Sequence, residues 1–538
     1  MSSVLSSWQP SSSSKIALDQ VALSDILSTT TPRQPLHVIR RTSDGARGLA
    51  TDGQIGATPS GEYQMLGHLS AMYPEWLGDR SFCETHGTRF AYVTGAMANG
   101  IATPRLVIAM ARAKMLGFFG SAGLSFDRVE QGLQVIQSEL KGSDTAWGVN
   151  LIHSPNEPKL EQRVADLYIR HSVPRVSAAA YMKLSPSIVR YAYSGLTTTP
   201  QGEIVRPHNV FAKISRTETA LHFMQPAPEA MLRSLVQANL LTEQEARLGS
   251  MLPVAEDITA ESDSGGHTDN RPLTALLPEI MAARDQVMST HKFTRQIRVG
   301  AAGGMGTPAA VAASYAMGAA YVLTGSVNQG AVESGLSEAG RKMLAQASMT
   351  DVIMAPAADM FELGVEVQVL KRGTMFGTRA KKLHDIYTTY NSIEEIPAKD
   401  REALEKRVLG AKIDDIWQET YAFWSRRDQE EAERALEDPR HKMALIFRWY
   451  LGKASKWAID GTPERAFDYQ IWCGPAMGAF NTWVKDSFLE PVEARSAVQI
   501  ALNLLEGATY ITRAQQLRAL GVPVPSAAFN FKPRKLSL

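Results

Sequence analysis

Little in this chain could staple it, anchor it or send it out of the cell. Among 538 residues the only cysteines are Cys83 and Cys473, too few and too far apart for a disulfide framework, so a reducing compartment is expected. No window comes near the run of roughly 18 apolar residues that reads as a membrane span. Neither charge dominates. With 56 Lys and Arg against 55 Asp and Glu, no global field draws the chain to nucleic acid or to a membrane surface. The N-terminus, MSSVLSSWQPSSSSK, lacks the basic region and apolar core of a secretory signal. A GxSxG elbow is missing, and Cys83 and His86 stand in CxxH spacing without a second pair, so a zinc ion would lack half its ligands and no metal is expected. These absences point to a soluble cytoplasmic protein, either one large domain with additions or two domains.

What is present begins with glycine. In RVGAAGGMGTPAAVAASYAMGAAYVLTGS, residues 298–326, a short apolar strand (299–302) ends in Gly303, Gly304 and Gly306. Thr307 then offers an N-cap, Pro308 a first helical position, and Gly318 a stop. A second strand (320–323) ends in Thr324-Gly325-Ser326. Loop amides at a helix N-terminus are a physical solution for holding a phosphate. The GxxGGxG spacing differs from the dinucleotide fingerprint, and about 20 residues further on the chain offers Leu323 and Thr324 with no acid to hold a ribose. A tight turn in any α/β protein would account for the glycines alone. The TGS turn one strand later favours phosphate, because the loops after strands 7 and 8 of an eight-stranded α/β barrel are where phosphates are gripped.

The preceding region supplies six more strands, at 90–93, 117–121, 146–152, 175–180, 210–214 and 257–260, most of them followed by helical sequence. Short buried runs alternating with helices fit a parallel sheet with both faces covered. Eight units in about 240 residues fit a closed (β/α)8 TIM barrel; a doubly wound open sheet is the competitor. The expected organisation is an N-terminal leader and cap (1–89), a barrel (90–334) and a mostly helical C-terminal region (335–538). One convincing strand, 36–40, is seen in the Ser-rich first 60 residues. Tyr73, Trp76 and Phe82 are expected to pack the next segment against the barrel. An insertion at about 226–251, with Thr242 and Glu245 in capping-box spacing, is expected between strands five and six, as a lid over the active face or as plain elaboration. The tryptophans beyond residue 400 are assigned to core, with helices expected at 400–437 and 443–457.

The sharpest catalytic candidate ends strand six, in ITAESDSGGHTDNRP. Glu261 and Asp263 are two apart and so share one side of an extended chain, and Gly265-Gly266 lets the backbone turn to present His267 at the barrel mouth. Histidine exchanges a proton near neutral pH. His153, beyond strand three, is a weaker candidate. Residues 371–382, KRGTMFGTRAKK, form a local basic cluster.

With these pieces placed, the sequence resembles the FMN-dependent barrel family of nitronate monooxygenases and flavin enoyl reductases, and within it the PfaD-type trans-acting enoyl reductases of polyunsaturated fatty acid and polyketide synthases. The likeness rests on YPEWLGDRSFCETHG, GAMANGIAT, GFFGSAGLS, WGVNLIHSP, VFAKISR, ITAESDSGGHTDNRP, RVGAAGGMGTP, YVLTGSVNQG and WCGPAMGAFN. The broader family usually opens its acidic-x-Gly-Gly-His motif with Glu, where this chain has Asp263. The resemblance implies that the phosphate belongs to FMN, held by Gly303, Gly304, Thr324, Gly325 and Ser326, with Gly265 and Gly266 also at the cofactor. It further implies that Ala96, Met97 and Asn150 line the flavin ring. Lys213, on strand five, could place positive charge near the ring's pyrimidine end. NADPH as transient reductant and an enoyl thioester on an acyl carrier protein are the implied partners, with His267 as the acid and 371–382 as a landing patch for the acidic carrier. Nitronate oxidation by the same barrel and a non-catalytic docking subunit of a synthase are the alternatives. Oligomeric state is left open, a homodimer being one option.

Overall fold

The computed structural model describes residues 6–56, 61–143, 145–155 and 157–538, so the start of the expected leader, residues 1–5, lies outside them. Eight parallel strands close on themselves: β1 (Tyr92–Thr94), β2 (Leu116–Phe119), β3 (Trp147–Ile152), β4 (Arg175–Ala179), β5 (Asn209–Ile214), β6 (Asp257–Glu261), β7 (Arg298–Ala302) and β8 (Val322–Thr324). Closure is direct, since Val322 pairs with Tyr92 and Thr324 with Thr94. The TIM barrel read from the sequence is the fold, and the open sheet is excluded.

Local signals set the crossover helices. Helix α1 (Pro104–Arg112) starts where the Thr103 hydroxyl accepts from Leu106 N–H, with Pro104 in its first turn. Helices α2 (Phe126–Glu139), α3 (Pro158–Arg170), α4 (Pro186–Tyr193), α5 (Thr217–Met224), α6 (Leu273–His291) and α7 (Pro308–Ala316) follow their strands in turn. Among the described residues only the four-residue helix Ser326–Gln329 directly follows β8. The outer place between α7 and α1 is filled by α8 (Ala497–Ala519), from far along the chain, which packs on both. A Cβ on Gly507 of α8 would stand 2.6 Å from the Pro308 ring, a measure of how closely α7 and α8 approach.

The insertion is corrected in its place. Helix α5 follows β5 at once, so Glu229–Gln237 and Glu243–Gly249 come after the crossover helix and lead into the N-terminal end of β6. The capping box of Thr242 and Glu245 is present, but the helices rest on α4, with Tyr193 Oη donating to Leu252 O at 3.0 Å. An insertion on this face belongs to the stability end of a barrel, and the lid is withdrawn.

The N-terminal region holds more sheet than expected. Six antiparallel strands, Ser7–Gln9, Ile16–Ala17, Leu36–Arg41, Arg47–Ala50, Gln54–Gly56 and Tyr63–Leu69, make one sheet. It buries Leu23, Leu36, Val38 and Leu49 against Leu517 and Val522 at the end of α8. Several of these strands are too short for a period-2 pattern to register. In the C-terminal region the expected helix at 400–437 is broken into Ala398–Leu404, Glu405–Leu409, Ile413–Arg427 and Gln429–Glu437. Gly410, at φ 67°, ends the first pair, and the Asp428 side chain caps the last.

The bottom of the barrel is closed by Arg80–His86. Phe82 is fully buried and stacks on Tyr321 at 4.7 Å, while Trp76, expected to pack, is 61% exposed. Below the aromatic layer, Arg298 at the start of β7 grips Asp257 at the start of β6 bidentately, at 2.6 and 2.8 Å. His86 Nε2 is 2.9 Å from the same carboxylate, and His86 Nδ1 accepts from Arg175 Nε at 3.0 Å. A nitrogen that accepts from a guanidinium cannot hold a proton, so His86 is the neutral Nε2–H tautomer donating to Asp257. Burial holds its pKa below the ordinary histidine value, as this arrangement requires.

Two outcomes follow. Asp257→Ala strands a buried arginine and should cost about 3–5 kcal/mol, read as a large fall in Tm. A group whose folded pKa is depressed contributes stability that is present above its unfolded value and is lost as pH falls, here below about pH 6.5. Wild-type Tm should therefore drop between about pH 7 and pH 5, and the initially weaker His86→Gln should drop less; parallel declines would contradict the neutral pairing.

Candidate active site

The C-terminal face of the barrel carries a cradle built from the loops after β7 and β8. Gly303 and Gly304 have φ of 87° and 73°. Around Gly304 and Gly325 no atom lies within 4 Å of where a Cβ would stand. Among the described residues, the amides of Gly304, Met305 and Gly325 make no hydrogen bond. Helix α7 aims its N-terminus into this space, capped by the Thr307 hydroxyl at 3.3 Å from Ala310 N. Unpartnered amides around an open concavity suit a phosphate dianion, and this donor set fits the phosphate end of a nucleotide cofactor.

Residues of one further segment complete the cradle. Ser326 Oγ accepts from Gly474 N at 3.1 Å, which leaves its O–H free to donate. A Cβ on Gly306 would stand 2.1 Å from Ala476 O, and one on Gly265 would stand 2.8 Å from Cys473 N. Only glycine allows this backbone-on-backbone approach. The segment around Cys473 therefore lies directly on both the glycine loop after β7 and the turn that presents His267. Thr324, grouped with the phosphate ligands from the sequence, turns inward: its buried Oγ1 meets Tyr92 Oη at 2.7 Å and Asn328 Nδ2 at 2.6 Å.

The Gly265–His267 turn adjoins the cradle, because a Cβ on Gly303 would lie 2.7 Å from Asp263 O. Gly266 and His267 form a short strand paired with a hairpin, Val352–Pro356 and Glu366–Leu370, which lies within the region expected to be mostly helical. His267 is 42% exposed, with Nε2 3.4 Å from Asp359 Oδ1 on the hairpin's loop. Asp359 is itself exposed; the surrounding protein works to raise its carboxyl, but the hydrogen bond and charge of His267 outweigh this and hold it below its ordinary value. Asp263 and Glu261 part company. Gln368 donates to Asp263 Oδ1 at 3.0 Å, while Glu261 takes Lys213 Nζ at 2.5 Å. Lys213 thus faces the mouth as half of an ion pair, without the free positive charge expected of it. Gln368 and Asp359 were missed, although the alternation in EVQVL, residues 366–370, was a usable strand signal.

On the opposite rim, Asn150 Oδ1 accepts from Ser121 N at 2.8 Å and Ala122 N at 3.2 Å, so its amide is held rigidly with Nδ2 unpartnered among the described residues. Ala96 and Met97 lie half-buried in the loop after β1. His153 Nδ1 is 3.0 Å from Glu161 Oε2 and its ring stacks on Tyr181 at 4.9 Å. Burial raises the Glu161 carboxyl, but hydrogen bonds from His153, Ser185 and Ser154 N outweigh this and leave it below its ordinary value. His153 is consequently anchored more firmly than His267.

An open, amide-lined cradle beside a glycine-presented histidine, at the C-terminal mouth of a (β/α)8 barrel, has the placing and form of a barrel enzyme's active site. Comparison with known proteins narrows the class. The family model for nitronate monooxygenase matches residues 82–379, and that for the inserted helical domain of [acyl-carrier-protein] S-malonyltransferase matches residues 390–469. The chain is 44% identical over 467 residues to a component of the polyunsaturated fatty acid synthase of Thraustochytrium, covering 85% of this chain and 31% of that protein. It is 43% identical over 431 residues to polyketide biosynthesis protein PksE of Bacillus subtilis, covering 80% of this chain and 56% of that one. The crystal structure of the enoyl reductase domain of MlnA, from the macrolactin cluster of Bacillus amyloliquefaciens, superposes with a TM-score of 0.79 at 37% identity, covering 83% of this chain and 99% of that domain. The chain belongs to the nitronate monooxygenase family, in its PfaD-type branch. It spans about a third to about half the length of these two curated relatives.

The close approach at Gly306 is testable through the buried Cys473 thiol, which burial pushes up to about 12 and so keeps inert. Gly306→Ala must displace the backbone around Ala476. Peptide-level mass spectrometry should find Cys473 alkylated much faster in the variant than in wild type, with Cys83 as internal reference.

Proposed function

We propose that the chain is a trans-acting, FMN-dependent enoyl reductase that uses NADPH to reduce the 2,3 double bond of enoyl thioesters carried on an acyl carrier protein, within a polyunsaturated fatty acid or polyketide synthase. The observation that carries this reading is the open cradle at Gly304 and Gly325 lying against the turn that presents His267. Likeness to the enoyl reductase domain of MlnA supports the reaction, and the match of residues 390–469 to a domain of carrier-protein transferases supports a carrier-bound substrate.

In this reading the amides of Gly304, Met305 and Gly325, with the Ser326 hydroxyl, bind the cofactor phosphate. Ala96 and Met97 wall the ring site, and the pinned Asn150 offers its Nδ2–H as a fixed donor. FMN held there would supply hydride-transfer chemistry between NADPH and the β-carbon of the enoyl thioester. His267 donates a proton at the α-carbon and recovers it from solvent, to which it is open. Asp359 orients that imidazole through Nε2, and the Lys213–Glu261 pair keeps the floor of the mouth polar without net charge.

Two variants test the assignment. Gly325→Asp puts a carboxylate into the open cradle, so it should fold with near wild-type Tm and fail to bind FMN. His267→Ala should bind FMN normally and reduce a carrier-bound 2-enoyl thioester slower by about 10²–10⁴-fold, the usual worth of general acid catalysis. An unchanged rate in His267→Ala would remove this residue from the chemistry and turn attention to His153.

A further inference from the structure

We infer that the surface around Phe467 is where the acidic carrier protein docks, an inference that rests on the proposed carrier-bound substrate. Phe467 is 67% exposed and Met375 45%, two large apolar side chains open to solvent. They are neighbours: Met375 N donates to Phe467 O at 2.7 Å, and Thr374 Oγ1 donates to the same carbonyl at 3.1 Å. Cations ring them. Lys371 and Arg372 are exposed in the turn that precedes Met375. In the helix Phe376–Thr389, Arg379 pairs with Asp468, the residue after Phe467, and Lys382 lies one turn further along the same face.

Most basic clusters are solvated surface, and part of this one is structural. Arg379 is spent on the buried Asp468, and Arg372 reaches Asp351 at 3.5 Å. Among the described residues no carboxylate pairs with Lys371, Lys381 or Lys382, and Glu464 is the exposed acid nearest in sequence to Phe467. An exposed aromatic ring rimmed by unpaired lysines suits a partner that offers carboxylates around an apolar residue. An acidic carrier with a thioester on a flexible arm has that chemistry.

Position ties this surface to the reaction. The strand Glu366–Leu370 leads directly into Lys371, and its Val367 lies directly opposite His267. Four residues of strand separate the two points, about 13 Å. A carrier seated on Phe467 would be within a short arm's reach of the histidine, on the side where the backbone of Trp472 bridges to Val369.

The test compares wild type with the charge-reversed variant Lys371→Glu, Arg372→Glu, Lys382→Glu and, separately, with Phe467→Ser, each checked for native Tm. Binding is read by fluorescence anisotropy of a labelled holo acyl carrier protein from such a synthase. Turnover is read on the same enoyl group borne either by that carrier or by free pantetheine. Carrier affinity should weaken by on the order of tenfold or more in both variants, and kcat/KM on the carrier-bound thioester should fall in parallel while that on the pantetheine thioester holds. Affinity within about twofold of wild type would overturn the inference, as would an equal loss on the pantetheine thioester. If wild type reduces neither thioester, the reductase reading fails, and the binding comparison still decides the docking surface.

Discussion

The structure depends on two places where a side chain is missing. Because Gly265 and Gly306 have no Cβ, the backbone from Cys473 to Ala476 can lie against the turn that ends β6 and the loop that ends β7 at distances no other residue would permit. That contact joins the C-terminal region to the barrel at the mouth, and it brings Gly474 N to the Ser326 hydroxyl. The site is therefore assembled from segments about 150 to 210 residues apart in sequence, which makes the C-terminal region part of the barrel's C-terminal face.

Elaborations of the barrel divide by face. At the bottom, Arg80–His86, the buried Asp257–Arg298 pair and the helices that lead into β6 stabilise without approaching the mouth. At the top, the hairpin Val352–Pro356 and Glu366–Leu370 and the segment around Cys473 cover the turn that carries His267. Helix α8 serves both, since it completes the outer ring and also anchors the N-terminal sheet. The division follows the general rule that a barrel keeps its chemistry at the C-terminal ends of its strands.

Much of this was legible in the residues themselves. All eight strands fall within about two residues of the positions read from apolar runs, the ordinary uncertainty of element ends, and Thr307 caps the helix it was expected to cap. What escaped was whatever depends on partners distant in sequence. Thr324 could not be known to turn toward Tyr92 and Asn328, nor Lys213 to find Glu261, because a side chain's direction at a strand end is set by its neighbours across the barrel. The insertion was put on the wrong face because α5 is only eight residues long and was not distinguished from the helices after it. Helix α8 is buried at every position from Ile500 to Thr509, and its place between α7 and α1 is set by contacts across nearly the whole chain.

The central claim is that the cradle between the β7 and β8 loops holds a flavin that the protein reduces. A visible absorption spectrum of the full chain, purified or reconstituted with FMN, followed by anaerobic addition of NADPH, tests it directly. A flavin spectrum that bleaches on addition is the predicted result; a protein that stays colourless after reconstitution, or binds FMN that NADPH does not bleach, would contradict it.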